Sequence, residues 1–152
     1  LFRSREAGLP AEPALQDGAR RWTLVLPGLK PLSTNEVYGK HWAVTRRLVK
    51  PYKDAVLQQA KGGRIPRLER FTVVLHYAPT KKRGAQIDFD NCHATLKPCV
   101  DALKKAGAIV DDNAARYTPS VPVIHPPTGK PGRLWLEVID LTEPAPTEKE
   151  HP

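Results

Sequence analysis

The sequence predicts a small α+β domain, a mixed β-sheet of about four strands carrying two main helices. Three observations predict it. Residues 22–26 (WTLVL), 70–77 (RFTVVLHY) and 133–141 (RLWLEVIDL) are strand-type runs, rich in β-branched and aromatic residues. Residues 42–61 and 91–105 instead repeat apolar side chains at helical spacing. The stretch 86–113 (QIDFDNCHATLKPCVDALKKAGAIVDDN) reads as a short strand–helix–strand unit with acidic residues at both ends.

In chain order, residues 1–20 are rich in Ala, Pro, Gly and charge without periodicity, and are expected to be a disordered arm. The first strand-type run stops at Pro27-Gly28. The segment 28–42 (GLKPLSTNEVYGKHW) holds Pro31, Ser33, Asn35 and Gly39, all turn formers. It is long for a connection, which marks a functional loop with Asn35, Lys40 and His41 as its polar candidates. In the next segment Val44, Leu48, Tyr52, Val56 and Ala60 recur at four-residue steps, and Gly62-Gly63 ends the helix. Pro51 interrupts it, giving either a kinked helix or two shorter helices meeting there.

The run 70–77 ends at Pro79, and the basic turn TKKRGAQ leads into Ile87-Asp88. That arrangement predicts a hairpin, with 70–77 antiparallel to 86–90. Asp90 or Asn91 is placed to cap the helix that follows. Its core stripe is Cys92, Leu96, Val100 and Leu103, with Cys99, Ala102 and Ala106 alongside. Pro98 is expected to bend it or loosen its first turn. Lys104, Lys105 and Gly107 stand in the order of a helix C-terminus. After Asp112 an irregular extended segment carries Pro119 and Pro122, a turn-rich loop follows, and 133–141 alternates as a last strand. The domain therefore spans 21–141, and 142–152 is a Pro/Glu tail expected to be disordered.

Charge narrows the partner. The chain of 152 residues carries a net +8. Between Lys40 and Arg83 twelve Lys/Arg face two acids, a net +10 in one segment. Such a field points to a polyanion. Lys40, Arg46, Arg47, Lys50, Lys53, Lys81, Lys82 and Arg83 are the candidate phosphate contacts. No apolar run approaches 18 residues, and the first residues lack the apolar core of a signal peptide, so a cytoplasmic protein is expected. Cys92 and Cys99, seven apart on a helix, lie about 10 Å apart by the helical rise, too far to bridge. A zinc site built from them and His93 lacks a second ligand pair.

The carboxylates narrow the chemistry. On a strand end, Asp88 and Asp90 share one face, roughly 6–7 Å apart, and both can ligate one hard cation. Mg²⁺ takes one or two such carboxylates, keeps several waters and accepts phosphate oxygens in its open positions. Asp111 and Asp112 are adjacent, so only one is expected to face that cation. The D-x-D-N opening is not a calcium loop, because the sixth position is His93 rather than Gly and the twelfth is Cys99 rather than Glu.

Taken together, DFDN (88–91), LKPCVDAL (96–103) and KKAGAIVDD (104–112) resemble the RusA family of Holliday junction resolvases, common in phages and prophages. The resemblance extends over about residues 22–141. It implies a Mg²⁺-dependent homodimer, with Mn²⁺ as a substitute, that nicks two opposed strands of a four-way DNA junction in recombination and repair. By position it implies Asp88, Asp90 and Asp112 as metal ligands, with Asp111 beside them. Lys97 matches the family's essential lysine when aligned through Asp101-Ala102-Leu103. The interval from Asp90 to Asp101 is about one helical turn longer than in shorter members. The competing expectation is a catalytically inactive protein of the same fold that binds branched DNA.

Overall fold

The computed structural model describes residues 19–81, 89–127 and 132–142, with Phe89 and Asp90 as backbone only. Its elements in order are β1 (Arg21–Val25), α1 (Thr34–Val37), α2 (Trp42–Gly62), β2 (Phe71–Ala78), α3 (Phe89–Lys105), β3 (Val123–Ile124) and β4 (Arg133–Asp140). The four strands form one mixed sheet in the order β1-β4-β2-β3. β4 is antiparallel to both β1 and β2, and β3 is parallel to β2. The α+β class and the four strands agree with the sequence reading.

Alternation along the strands builds the core. Leu134, Leu136 and Val138 of β4 are buried, as are Phe71, Val73 and Leu75 of β2 and Leu24 of β1. Side chains two apart share a sheet face. Val49, Tyr52, Val56 and Ala60 of α2 join the same apolar cluster, with Cys92, Leu96, Cys99 and Leu103 of α3. On the opposite face Trp135 stacks on His76 and His125, with ring centroids 5.1 and 4.9 Å away. β1 is an edge strand. The Gln59 side chain of α2 covers part of that edge, accepting from the Val25 N–H at 2.7 Å and donating to its carbonyl.

Two local expectations change, the two-helix alternative at Pro51 and the hairpin before α3. Helix α2 is continuous through Pro51, whose exposed position places the lost backbone bond at solvent. Helix α3 likewise runs through Pro98. The hairpin of 86–90 with β2 does not fit the sheet. Residues 86–88 lie outside the described residues, but Phe89 and Asp90 already belong to α3. The flank of β2 away from β4 is also occupied. Phe71 N–H donates to Arg116 O and Phe71 O accepts from Thr118 N–H. Further along, Ser120 Oγ donates to Val73 O, and β3 pairs with His76 and Tyr77. Among the described residues it is the irregular segment after Asp112 that completes the sheet.

Candidate active site and nucleic-acid interface

Helix α3 is the axis of the site, and its two ends are fixed by different devices. At the C-terminus Gly107 takes φ +78°, a conformation that glycine adopts without a Cβ clash. Gly107 N–H donates to Lys104 O and Ala108 N–H to Leu103 O, closing the helix in a Schellman motif. The exit is then pinned by backbone bonds to Leu68, from Leu68 N–H to Ala108 O and from Val110 N–H to Leu68 O. Asp111 and Asp112 follow directly, so they return beside α3 at a defined height.

There the two acids separate. Asp112 Oδ2 accepts from Lys97 Nζ at 3.4 Å, and Lys97 Nζ also donates to Asp101 Oδ1 at 3.2 Å. Asp111 Oδ1 accepts from Lys104 Nζ at 3.0 Å and from the Asp112 N–H at 2.8 Å, while Asn113 Nδ2 donates to Asp111 Oδ2. Adjacent carboxylates thus meet α3 two turns apart, Asp112 at Lys97 and Asp111 at Lys104. The Asp101 hydrogen bond and the nearby Asp112 charge hold the Lys97 ammonium above its usual range. Lys97 is not only the helix-surface partner of Asp101, because it spans to a second chain segment.

The Lys104 hydrogen bond and the Asp112 N–H hold the Asp111 carboxyl down at about 2, from an ordinary 3.8. A pKa lower in the folded state stabilises the fold above the unfolded value and loses that contribution as pH falls through the folded one. The wild-type chain is therefore expected to melt above an Asp111→Asn variant at neutral pH. The gap in melting temperature closes between about pH 4 and pH 2. A gap that persists at pH 2, or that is absent at neutral pH, would show that the contact with Lys104 does not bias folding.

The N-terminal end of α3 is held by the loop before α1. Asn91 does not cap α3. It lies inside the helix, and its Oδ1 accepts from Thr34 N–H at 2.8 Å and Thr34 Oγ1 at 2.9 Å. Thr95, fully buried, accepts the Leu32 N–H at 2.8 Å and donates to Asn91 O. The Tyr52 hydroxyl donates to Lys30 O from α2. The long segment 28–42 is thus a strap across the first half of α3, containing the four-residue helix α1 capped by Ser33. Thr95 was missed in the sequence, although a polar residue four positions from both Asn91 and Cys99 was a readable sign. Replacing Thr95 with valine leaves the buried Leu32 N–H without an acceptor. It is expected to cost about 1–3 kcal/mol, measured by denaturant unfolding, with Thr95→Ser close to wild type.

Not all the candidate site residues can be placed. Asp88, Lys82 and Arg83 lie outside the described residues. Asp90 has only its backbone described, in the first turn of α3 rather than on a strand end, so a shared strand face with Asp88 is not its geometry. Position 90 precedes Lys97 by seven residues, which puts both on the same side of the helix axis. Among the described residues no three His, Cys, Asp or Glu side chains gather as a metal site. Cys92 and Cys99 are both buried, and burial pushes their thiols up to about 11 and about 12.

The basic residues of α2 open toward this cluster. Arg46, Lys50 and Lys53 line one wall of a cleft of about 270 Å³ between α2 and α3, and Asp101 and Lys105 line the other. Lys50 pairs with Asp54 at 2.6 Å. Among the described residues Arg46, Lys53 and Lys105 have no ion-pair partner. Asp101 belongs both to this cleft and to the Lys97 contact, so cleft and cluster share a wall. Lys40, Arg47 and Lys81 are exposed. Among the described residues no helix is long and apolar enough to cross a membrane. The chain matches no protein-family model, and no curated protein matches it in sequence.

Proposed function

We propose that the chain is a Mg²⁺-dependent, structure-specific endodeoxyribonuclease that resolves four-way DNA junctions by paired symmetric nicks, working as a homodimer in the cytoplasm. The observation that carries the reading is the meeting of Lys97 Nζ with Asp112 Oδ2 at 3.4 Å, beside a cleft walled by Arg46, Lys50 and Lys53. A lysine and a carboxylate from separate chain segments face the same solvent, next to Arg46 and Lys53, which have no ion-pair partner among the described residues and suit a phosphate backbone.

Asp112 offers one carboxylate donor of the kind a hard cation takes. Asp112 keeps its side chain 26% exposed, and among the described residues its Oδ1 makes no hydrogen bond, so one oxygen is open to a metal while the other holds Lys97. Asp88, Asp90 and Asp112 are the proposed ligands, with Mn²⁺ as a substitute for Mg²⁺. Asp111, occupied by Lys104 and Asn113, is the weaker candidate. When bound, the ion supplies a water of lowered pKa and neutralises charge on the scissile phosphate. Lys97 donates to a phosphate oxygen and stabilises the charge that develops there. Asp101 holds the Lys97 ammonium in position. The basic ridge of α2 holds the strand through its phosphates, without base readout. A twofold dimer suits a substrate with two equivalent cleavage points.

The test is incubation of a synthetic four-way junction beside linear duplex of the same sequence, with Mg²⁺ and with EDTA. Paired symmetric nicks in the junction alone, dependent on Mg²⁺, are the expected result. Tight junction binding without cleavage in either Mg²⁺ or Mn²⁺ would replace the enzyme by a branched-DNA-binding protein of the same fold.

A further inference from the structure

The first turn of α2 leaves large apolar side chains in water. Trp42 is 67% exposed and Tyr38, in the connection from α1, is 54% exposed, with Val44 nearby in sequence also exposed. The His41 ring lies against Trp42 at 5.5 Å between centroids. Its orientation is fixed, because His41 Nδ1 accepts the Ala43 N–H as the cap of α2. An indole this exposed, with an imidazole ring against it, is informative where a scattered leucine is not.

The surroundings are cationic. Lys40, Arg46 and Arg47 are exposed around this patch. Trp42, Arg46, Lys50 and Lys53 stand at intervals of four, four and three residues, so they follow one line down α2. Trp42 heads this line and the α2–α3 cleft lies along it. The patch also sits at the N-terminal end of α3. Thr45 Oγ1 donates to Val37 O, which folds the connection onto α1, and Thr34 of α1 is bonded to Asn91. A strand whose phosphates follow Arg46, Lys50 and Lys53 would carry its next base onto the indole. Aromatic faces stack on any base, and an unpaired base leaves its face open to them.

We propose that Trp42, supported by His41 and with Tyr38 four residues earlier, is a stacking platform for an unpaired base of branched DNA. The cationic ridge below it would hold the backbone of the same strand. In this arrangement the ridge supplies affinity for any DNA, and the platform distinguishes an opened branch point from continuous duplex. The inference rests on the DNA-binding part of the proposed function and not on cleavage.

The test is binding in EDTA, followed by tryptophan fluorescence and by competition, using a short oligo-thymidine strand and a linear duplex. The strand is expected to quench the wild-type signal. Trp42→Phe is expected to remove most of that quench while still binding, since Trp22 and Trp135 are less exposed. Trp42→Ala is expected to weaken the single strand about 5- to 150-fold and the duplex less than about twofold. Arg46→Ala is expected to weaken both and to lower the slope of log affinity on log salt by about 0.7–0.9. Quenching that survives in Trp42→Phe, or equal losses for strand and duplex in Trp42→Ala, would overturn the platform. Absence of all DNA binding would overturn it together with the proposed function. Selective strand binding through Trp42 without junction cleavage would leave the platform standing and remove only the nuclease.

Discussion

On the proposed function, Asp112→Asn is expected to reduce Mg²⁺-dependent nicking of a four-way junction by at least about a thousandfold, because it would remove the charge of a proposed metal ligand, and a metal's stabilisation of the reacting phosphate amounts to several kcal/mol. Asp111→Asn, one residue away, is expected to stay within about tenfold of wild type, since its carboxylate serves Lys104 rather than the cleft. Lys97→Met is expected to fall between them, at about a hundred- to a thousandfold, the usual loss of one donor to developing charge. None of the three should unfold the chain, because their ion pairs are exposed to solvent and contribute little to stability. Junction affinity in EDTA should hold within about threefold for Asp112→Asn, as the proposed phosphate contacts lie on α2. The discriminating measurement is single-turnover nicking of all three variants beside their melting curves. Equal losses for Asp111→Asn and Asp112→Asn would sink the division of labour between the two acids.

Phe71→Ala is expected to be the most destabilising single change, at about 3–5 kcal/mol and about 10–20 °C in melting temperature. Phe71 is fully buried at the start of β2, and its ring stacks on Tyr117 at 5.2 Å with 8° between planes. Its backbone joins three segments, pairing with Asp140 of β4 and exchanging bonds with Arg116 and Thr118. Deleting the ring leaves a cavity that these paired backbones cannot close. It also removes the anchor of Tyr117, five residues after Asp112. Junction nicking at temperatures well below the melting point is therefore expected to fall with stability, whereas Phe71→Leu should lose less of both. A Phe71→Ala chain that melts within a few degrees of wild type would show that the segment 113–118 is held by other contacts, such as the turn in which Arg116 and Tyr117 N–H donate to Asn113 O.

The periodic signals were legible because each reports one local geometry. Alternation in 133–141 and the helical stripes of 42–61 and 91–105 read directly as β4, α2 and α3. The stop signals at Gly62-Gly63 and Gly107 were legible for a similar reason, since each answers a local demand: Gly107 takes φ +78°, and a Cβ at Gly63 would stand 2.9 Å from Gln59 O. The candidate chemistry was legible in residue type: carboxylates, one lysine and a basic segment.

Pairing was not legible. A strand run records which face is apolar, not which neighbour bonds to it, so sequence alone pairs 70–77 with the acidic stretch next along the chain. In the fold, β2 pairs with β4, more than fifty residues later, and with the segment after Asp112. Nor does sequence tell an aspartate on a strand end from one in the first turn of a helix, since Asp serves in both places, and Asp90 lies in the turn. The role of Asn91 depended on where the strap before α1 came to rest, and the separation of Asp111 from Asp112 depended on the height at which Leu68 pins the exit from α3. Residue type and period are properties of a few neighbouring positions. Which acid meets Lys97 is settled by long-range backbone bonds, and only the tertiary structure contains those.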